Sequence, residues 1–187
     1  MQEEKTVDPL PFVREDELRE AGRILGVAQV SFLGFSDGGL CQNNYHDLSH
    51  KIQNKIADIQ PERIITMEPR GITGHLDHIA LSYVVTYVFR HQEFADELWY
   101  ACMPKAQREY ASQLPEYFVY FPPGYRSAEV DMVVDVSSVW QEKISAACAH
   151  KSQKHDLEEF ILPMLEHAEK EEYFIVESRK SKVESAK

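Results

Sequence analysis

Apolar residues recur along this chain at two spacings, and the change from one to the other sets the expected elements. Leu18, Ala21 and Leu25 share one helical face of REDELREAGRIL (14–25), with Gly26 placed to stop it. VAQVSFLGF (27–35) is β-rich, of strand length, and ends in the turn cluster SDGGL. Ile52, Ile56 and Ile59 return to helical spacing over 48–59, closed by Pro61. ERIITMEP (62–69) predicts a short apolar strand running into a Pro-Arg-Gly loop, and 79–94 predicts a mostly buried helix. LWYACMP (98–104) and YFVYFPPGY (117–125) predict two more strands. Residues 130–136 alternate apolar and acidic positions, and 139–150 predicts a helix. The chain ends in a helical segment over about 157–168, a short extended run YFIV (173–176) and a charged, frayed end.

Helices and strands in alternation, joined by short Gly/Pro loops, imply an α/β layered fold with a largely parallel sheet. The boundaries read as a polar tail over 1–12 carrying Pro9 and Pro11, one α/β domain over 13–178, and a charged tail over 179–187. At 187 residues and 43% apolar content there is enough chain for one sizeable core.

Charge removes whole classes of partner. A net charge of −11 repels phosphate backbones and anionic lipid, so neither nucleic acid nor a membrane surface is expected. The longest apolar run, Ile79 to Phe89, is interrupted by Ser82 and Thr86 and is too short to span a bilayer. No basic stretch followed by an apolar one marks the N-terminus as a secretory signal. Three cysteines, far apart and in no C-x-x-C pair, read as reduced thiols of a cytoplasmic protein. Cys102 and Cys148 sit in apolar surroundings and are expected to fill core, whereas Cys41 is expected to be exposed.

The chemistry concentrates in GITGHLDHIALS (71–82). ERIIT is the strand, GHLDH its loop and IALSYVVTYVF the following helix. The histidines thus lie beyond the carboxyl end of a strand, where open α/β sheets bind ligands. His75 and His78 are one turn apart and can face one point. A helix N-terminus disfavours imidazolium, which keeps a histidine neutral and able to coordinate metal. Asp77 can cap the helix or orient a neighbouring imidazole. The alternative is the polar, solvated start of an ordinary helix, since eight histidines make such a spacing easy to meet by chance. A catalytic zinc typically needs three protein ligands, and the other candidates are thin. His46 and His50 of HDLSH are more cheaply read as a solvated helix face. On the residues alone the set is incomplete, and both readings stay open. A serine or cysteine hydrolase is the least favoured class, with no G-x-S-x-G elbow expected and no cysteine lying in a reactive context.

Three blocks taken together, REDELREAGRILGVAQVSFLGFSDGGL, PERIITMEPRGITGHLDHIALS and WQEKISAACAHKSQ, resemble the PIG-L/LmbE-like family of zinc-dependent de-N-acetylases. Their order and spacing match from about residue 13 to 174, and G-x-T-G-H-x-D-H is the specific part. The resemblance implies a Rossmann-like three-layer fold and hydrolysis of the acetamide of a small N-acetylglucosamine-containing substrate. It implies Zn2+ as cofactor with His78 as a ligand. It also makes His75 the histidine that polarises the carbonyl or protonates the leaving amine, and Asp77 the residue that orients His75. Arg14 matches the family's substrate-gripping arginine, and Asp37 the acidic residue that hydrogen-bonds sugar hydroxyls. His150, in AHKSQ, falls in a block that closes the far side of the family's site. The family's opening strand ends in His-Pro-Asp-Asp-Glu, which supplies two further zinc ligands and the general base, and these 187 residues hold no such motif. Two expectations follow: an N-terminally shortened deacetylase, or an inactive remnant that retains a sugar-binding or partner-binding role. In either case this chain alone is expected to be inactive.

Overall fold

The computed structural model describes residues 10–114 and 121–179. They form two compact units. One consists of the chain up to Phe32 together with Val136–Lys170, and the other of Leu33–Asp135 with the chain from Glu171 on.

The second unit holds the sheet. Its elements in chain order are α2 (Tyr45–Ile59), β1 (Arg63–Met67), the short α3 (Gly71–Gly74), α4 (Leu76–His91), β2 (Glu97–Cys102), α5 (Lys105–Ala111), β3 (Met132–Asp135) and β4 (Glu171–Ser178). The strands run in the order β1-β2-β4-β3. Leu48, Ile52 and Ile56 of α2, at helical spacing, meet Val84, Val85, Val88 and Phe89 of α4. Ala95, Leu98 and Tyr100 complete this core from the β2 side. Burial of these side chains is what holds α4, and with it the GHLDH segment, at a defined place over the sheet.

The α/β class is as expected, but the sheet is mixed. β1 pairs with β2 in parallel, whereas β2–β4 and β4–β3 are antiparallel. Only β1, α4 and β2 make a crossover of the kind a parallel pair requires. β3 and β4 are joined instead by residues 136–170, after which the chain returns alongside β3 in the opposite direction. The run YFIV proves to be the middle of an eight-residue strand lying inside the sheet. Its polar flanks hid it. Glu177 is bound there by Arg90 (Nη2–Oε2 2.9 Å), and the Val176 N–H donates to the Asp131 carboxylate at 2.8 Å.

The predicted strand over 27–35 is not one. Leu33 and Phe35 do pack against the core, but among the described residues no strand pairs with this segment. The first residues of YFVYFPPGY lie outside the described residues. Its end is a loop tied by the Lys105 N–H to the Tyr125 carbonyl (2.8 Å) and the Tyr125 N–H to the Met103 carbonyl (2.9 Å).

The first unit is helical: α1 (Leu10–Ile24), α6 (Trp140–Ala147), α7 (Lys154–Asp156), a π turn over Leu157–Ile161 and α8 (Leu162–His167). α1 begins inside the stretch expected to be a tail, because Pro11 sits in the first turn, where a missing N–H costs nothing. No described helix is long and apolar enough to cross a membrane.

Cys41 is exposed as expected and Cys102 is buried, but Cys148 is exposed and is not core filler. It follows α6 at the helix end, where the chain turns outward. Burial pushes the Cys102 thiol up to about 11. Iodoacetamide near pH 8 is therefore expected to label Cys41 and Cys148 in the native protein and spare Cys102, as read by peptide mass spectrometry. Native labelling of Cys102 at the rate of the other two would contradict this packing.

Candidate functional site

β1 makes its last ladder bond at Glu68, whose N–H donates to the Ala101 carbonyl at 3.0 Å, and Pro69 then takes the chain out of the sheet. The Glu68 side chain turns back under the loop that follows. It is only 2% exposed. Its Oε2 accepts from the Arg70 N–H at 2.8 Å and the Tyr125 hydroxyl at 2.7 Å, and its Oε1 from the Ile72 N–H at 2.9 Å. The Arg70 guanidinium lies 3.3 Å from the same carboxylate and stacks 3.9 Å from the centre of the Tyr125 ring. A buried carboxylate is tolerable when its lone pairs are met this fully. Burial raises the Tyr125 hydroxyl well above its ordinary value, so it stays protonated as a donor.

The loop delivers the chain to α4 through Gly71, at φ +75°, and Ile72, at φ +60°. His75 is the residue that caps α4: its Nδ1 accepts from the Asp77 N–H at 3.1 Å. A ring nitrogen that accepts carries no proton, so His75 is neutral with its proton on Nε2. His78 is the reverse. Its Nδ1 lies 3.1 Å from the Gly71 carbonyl, which can only accept, so the proton is on Nδ1. Burial, the largest cause, holds the His78 imidazole below its ordinary value, while the Gly71 carbonyl, Asp77 and Asp37 oppose it. His78 is thus neutral with a bare electron pair on Nε2. The two rings lie 4.9 Å apart, tilted by 32°. One presents an N–H donor and its neighbour an electron pair.

Asp77, expected to cap the helix or to orient an imidazole, meets His75 through its backbone N–H, while its side chain ties a turn to the helix. Its N–H holds His75, and its buried carboxylate accepts from the Leu40 N–H at 3.0 Å. That bond fastens the SDGGL turn to the start of α4 across 37 positions of sequence. Asp37 stands exposed on this turn, closed by the Gly39 N–H to the Ser36 carbonyl at 3.1 Å. The structure therefore brings Asp37, His75, Asp77 and His78 into one neighbourhood. Contrary to the expectation of no such motif, Gly34–Gly38 has the G-x-S-x-G spacing of a serine-hydrolase elbow. Ser36 is exposed in a turn, with no strand leading in and no helix directly following, so the elbow geometry is missing.

Arg14 and His150 belong to the other unit. Arg14 is half-buried on α1. The Glu17 carboxylate, one turn on, accepts from the Ser152 N–H at 2.7 Å and the Ser152 hydroxyl at 2.6 Å, fastening α1 to the AHKSQ block. The Ser152 hydroxyl is the main cause that holds Glu17 below its ordinary value, with His150 and Arg14 adding to it.

Among the described residues, no three of His, Cys, Asp and Glu group so as to hold a metal ion. His78 offers one neutral imidazole, fixed by a backbone carbonyl in the manner of a metal ligand. One prepared ligand does not fit a zinc ion that needs three, so the described residues do not make a complete zinc site by themselves.

Gly71 is the tightest point of this arrangement. A Cβ there would stand 2.9 Å from Ile79 Cγ1 and 3.0 Å from His78 Cβ, whereas at Gly38, φ +73°, it would meet nothing within 4 Å. Both Gly→Ala changes incur the left-handed strain of about 1–2 kcal/mol, but only Gly71→Ala also displaces His78. Urea unfolding should show Gly71→Ala as clearly the more destabilising; equal losses for the two variants would contradict the packing described.

Comparison with known proteins shows what the chain is similar to. Residues 2–89, which include the GHLDH block, match the family model described as PIG-L, GlcNAc-PI de-N-acetylase. The chain is 29% identical over 150 residues to a probable N-acetyl-alpha-D-glucosaminyl L-malate deacetylase 2 of Bacillus cereus, covering 78% of this chain and 60% of that protein. It is 28% identical over 171 residues to a 1D-myo-inositol 2-acetamido-2-deoxy-alpha-D-glucopyranoside deacetylase of Saccharomonospora viridis, covering 78% and 64%. The chain thus spans about 60% of the length of the curated relatives it matches. Its fold is similar to that of N,N'-diacetylchitobiose deacetylase from Pyrococcus horikoshii, with a TM-score of 0.64 and 18% identity over 95% of this chain and 68% of that one. The resemblance carried by the three sequence blocks therefore stands: over residues 2–89 this chain is similar to the PIG-L de-N-acetylases.

Proposed function

We propose that the chain is part of a cytoplasmic, metal-dependent hydrolase that removes acetyl from an N-acetylglucosamine-type glycoconjugate. The observation that carries this reading is the pair of neighbouring imidazoles held in opposite tautomers at the start of α4. His78 serves as a zinc ligand through Nε2. A zinc ion held by a full ligand set would supply an activated water and polarise the amide. The described residues do not complete that ligand set. His75 donates a hydrogen bond from its Nε2–H to the acetamide oxygen as that atom gains charge and keeps the proton throughout. Asp77 keeps His75 and the Asp37 turn in register, and Asp37 accepts hydrogen bonds from sugar hydroxyls. Arg14 grips the substrate, a role supported by the family resemblance alone.

A second reading, a chain that binds sugar or a partner without catalysis, is favoured by the ligand count among the described residues. Protein purified at its full native length from its own host separates the two. It should hold about one zinc per chain and release acetate from an N-acetylglucosaminyl glycoside. His78→Ala should lose both. His75→Ala should keep the metal while losing about 10²–10⁴ in rate. A native protein that binds such a glycoside without releasing acetate supports the second reading. Residues 1–187 alone should hold no stoichiometric zinc, and one tightly bound ion per chain would contradict the ligand count.

A further inference from the structure

The two histidines differ in what fixes their protons. His75 is set by a bond to the N–H two residues on, within the start of its own helix. His78 is set by the carbonyl of Gly71, seven residues back, so its tautomer depends on where the loop after β1 lies. That loop is not a conformation its residues prefer. Gly71 at φ +75° is followed by Ile72 at φ +60°, ψ −59°, the γ-turn region, which is strained for a β-branched residue. Something must hold it, and the Glu68 carboxylate binds the N–H groups on either side of Gly71, those of Arg70 and Ile72.

We infer that Glu68 is a positioning residue for His78: by holding the Gly71 carbonyl against Nδ1, its buried carboxylate keeps the Nε2 electron pair of His78 free. With the carbonyl displaced, the ring can put its proton on Nε2 and lose the pair. A glutamine at 68 cannot substitute. Its amide has one oxygen, and its NH2 would face a backbone donor where the second carboxylate oxygen accepts. Tyr125 and Arg70 reach the same carboxylate and add to the hold. The use made of the free pair rests on the proposed function; the tautomer does not, and it is read without metal.

The test is imidazole nitrogen NMR on the metal-free chain with 15N-labelled histidine, near pH 8 where the rings are neutral. His91 is the internal reference, because its Nδ1 lies 2.7 Å from the Tyr87 carbonyl within α4, away from Glu68. In the unmutated chain both His78 and His91 should show protonated Nδ1. In Glu68→Gln the Nδ1–H state of His78 should be lost to a tautomer mixture, with His91 unchanged. Should Glu68→Gln not fold, Glu68→Asp is read instead. Its carboxylate, one methylene shorter, should leave His78 between the two extremes. The inference is overturned if His78 keeps full Nδ1 protonation in whichever variant folds, or if His91 changes along with it, since that marks a general loosening.

Discussion

The hydrogen bond from His78 Nδ1 to the Gly71 carbonyl is the contact on which the rest of the site turns. It does what a second group behind a metal-binding imidazole commonly does: it assigns the proton to one nitrogen and leaves the other bare. Both partners are placed by backbone geometry. His78 is placed by α4, whose buried face packs on α2 and the sheet, and Gly71 by a loop bent back over a buried carboxylate. A carboxylate removed from water is an expensive anchor, and in this loop every donor around it is a neighbour in sequence or the Tyr125 hydroxyl.

Around that bond the second unit is organised by two ties that cross long stretches of chain. Asp77 Oδ1 accepts from Leu40, and Glu68 Oε2 accepts from Tyr125. Each joins a loop to one end of the β1–α4 connection. The parallel β1–β2 pair with α4 between them is the rigid part, and the loops at its carboxyl end carry the polar groups, as open α/β sheets generally arrange them. Held this way, His75 and His78 meet as unlike partners, a proton donor beside an electron pair, a pairing suited to an amide whose oxygen gains charge and whose nitrogen leaves. A solvated helix start would need none of this.

Much of this was legible in the residues, and the failures have physical causes. Helical spacing located α2 and α4, and the strand–loop–helix order placed GHLDH beyond β1, because both signals come from periodic burial. The stretch over 27–35 is β-rich and, among the described residues, forms no strand, since composition suits a sheet face and a ladder also needs a neighbour. β4 hides for the opposite reason: its Glu177 is met by Arg90 and the Tyr100 hydroxyl, partners that no local pattern reveals. Glu68 passed unnoticed in MEPRG, where an acid before proline looks like any loop residue. Its burial is created by Tyr125, 57 positions away. The division of labour between His75 and Asp77 was equally hidden, for aspartate is the commoner cap, and only the fold shows that its carboxylate is taken by Leu40.

Neutron diffraction from crystals of the chain grown near pH 8 would locate the ring protons directly. The account predicts a deuteron on Nδ1 and none on Nε2 of His78, with the reverse at His75. A deuteron on His78 Nε2, or the same tautomer in both rings, would contradict it.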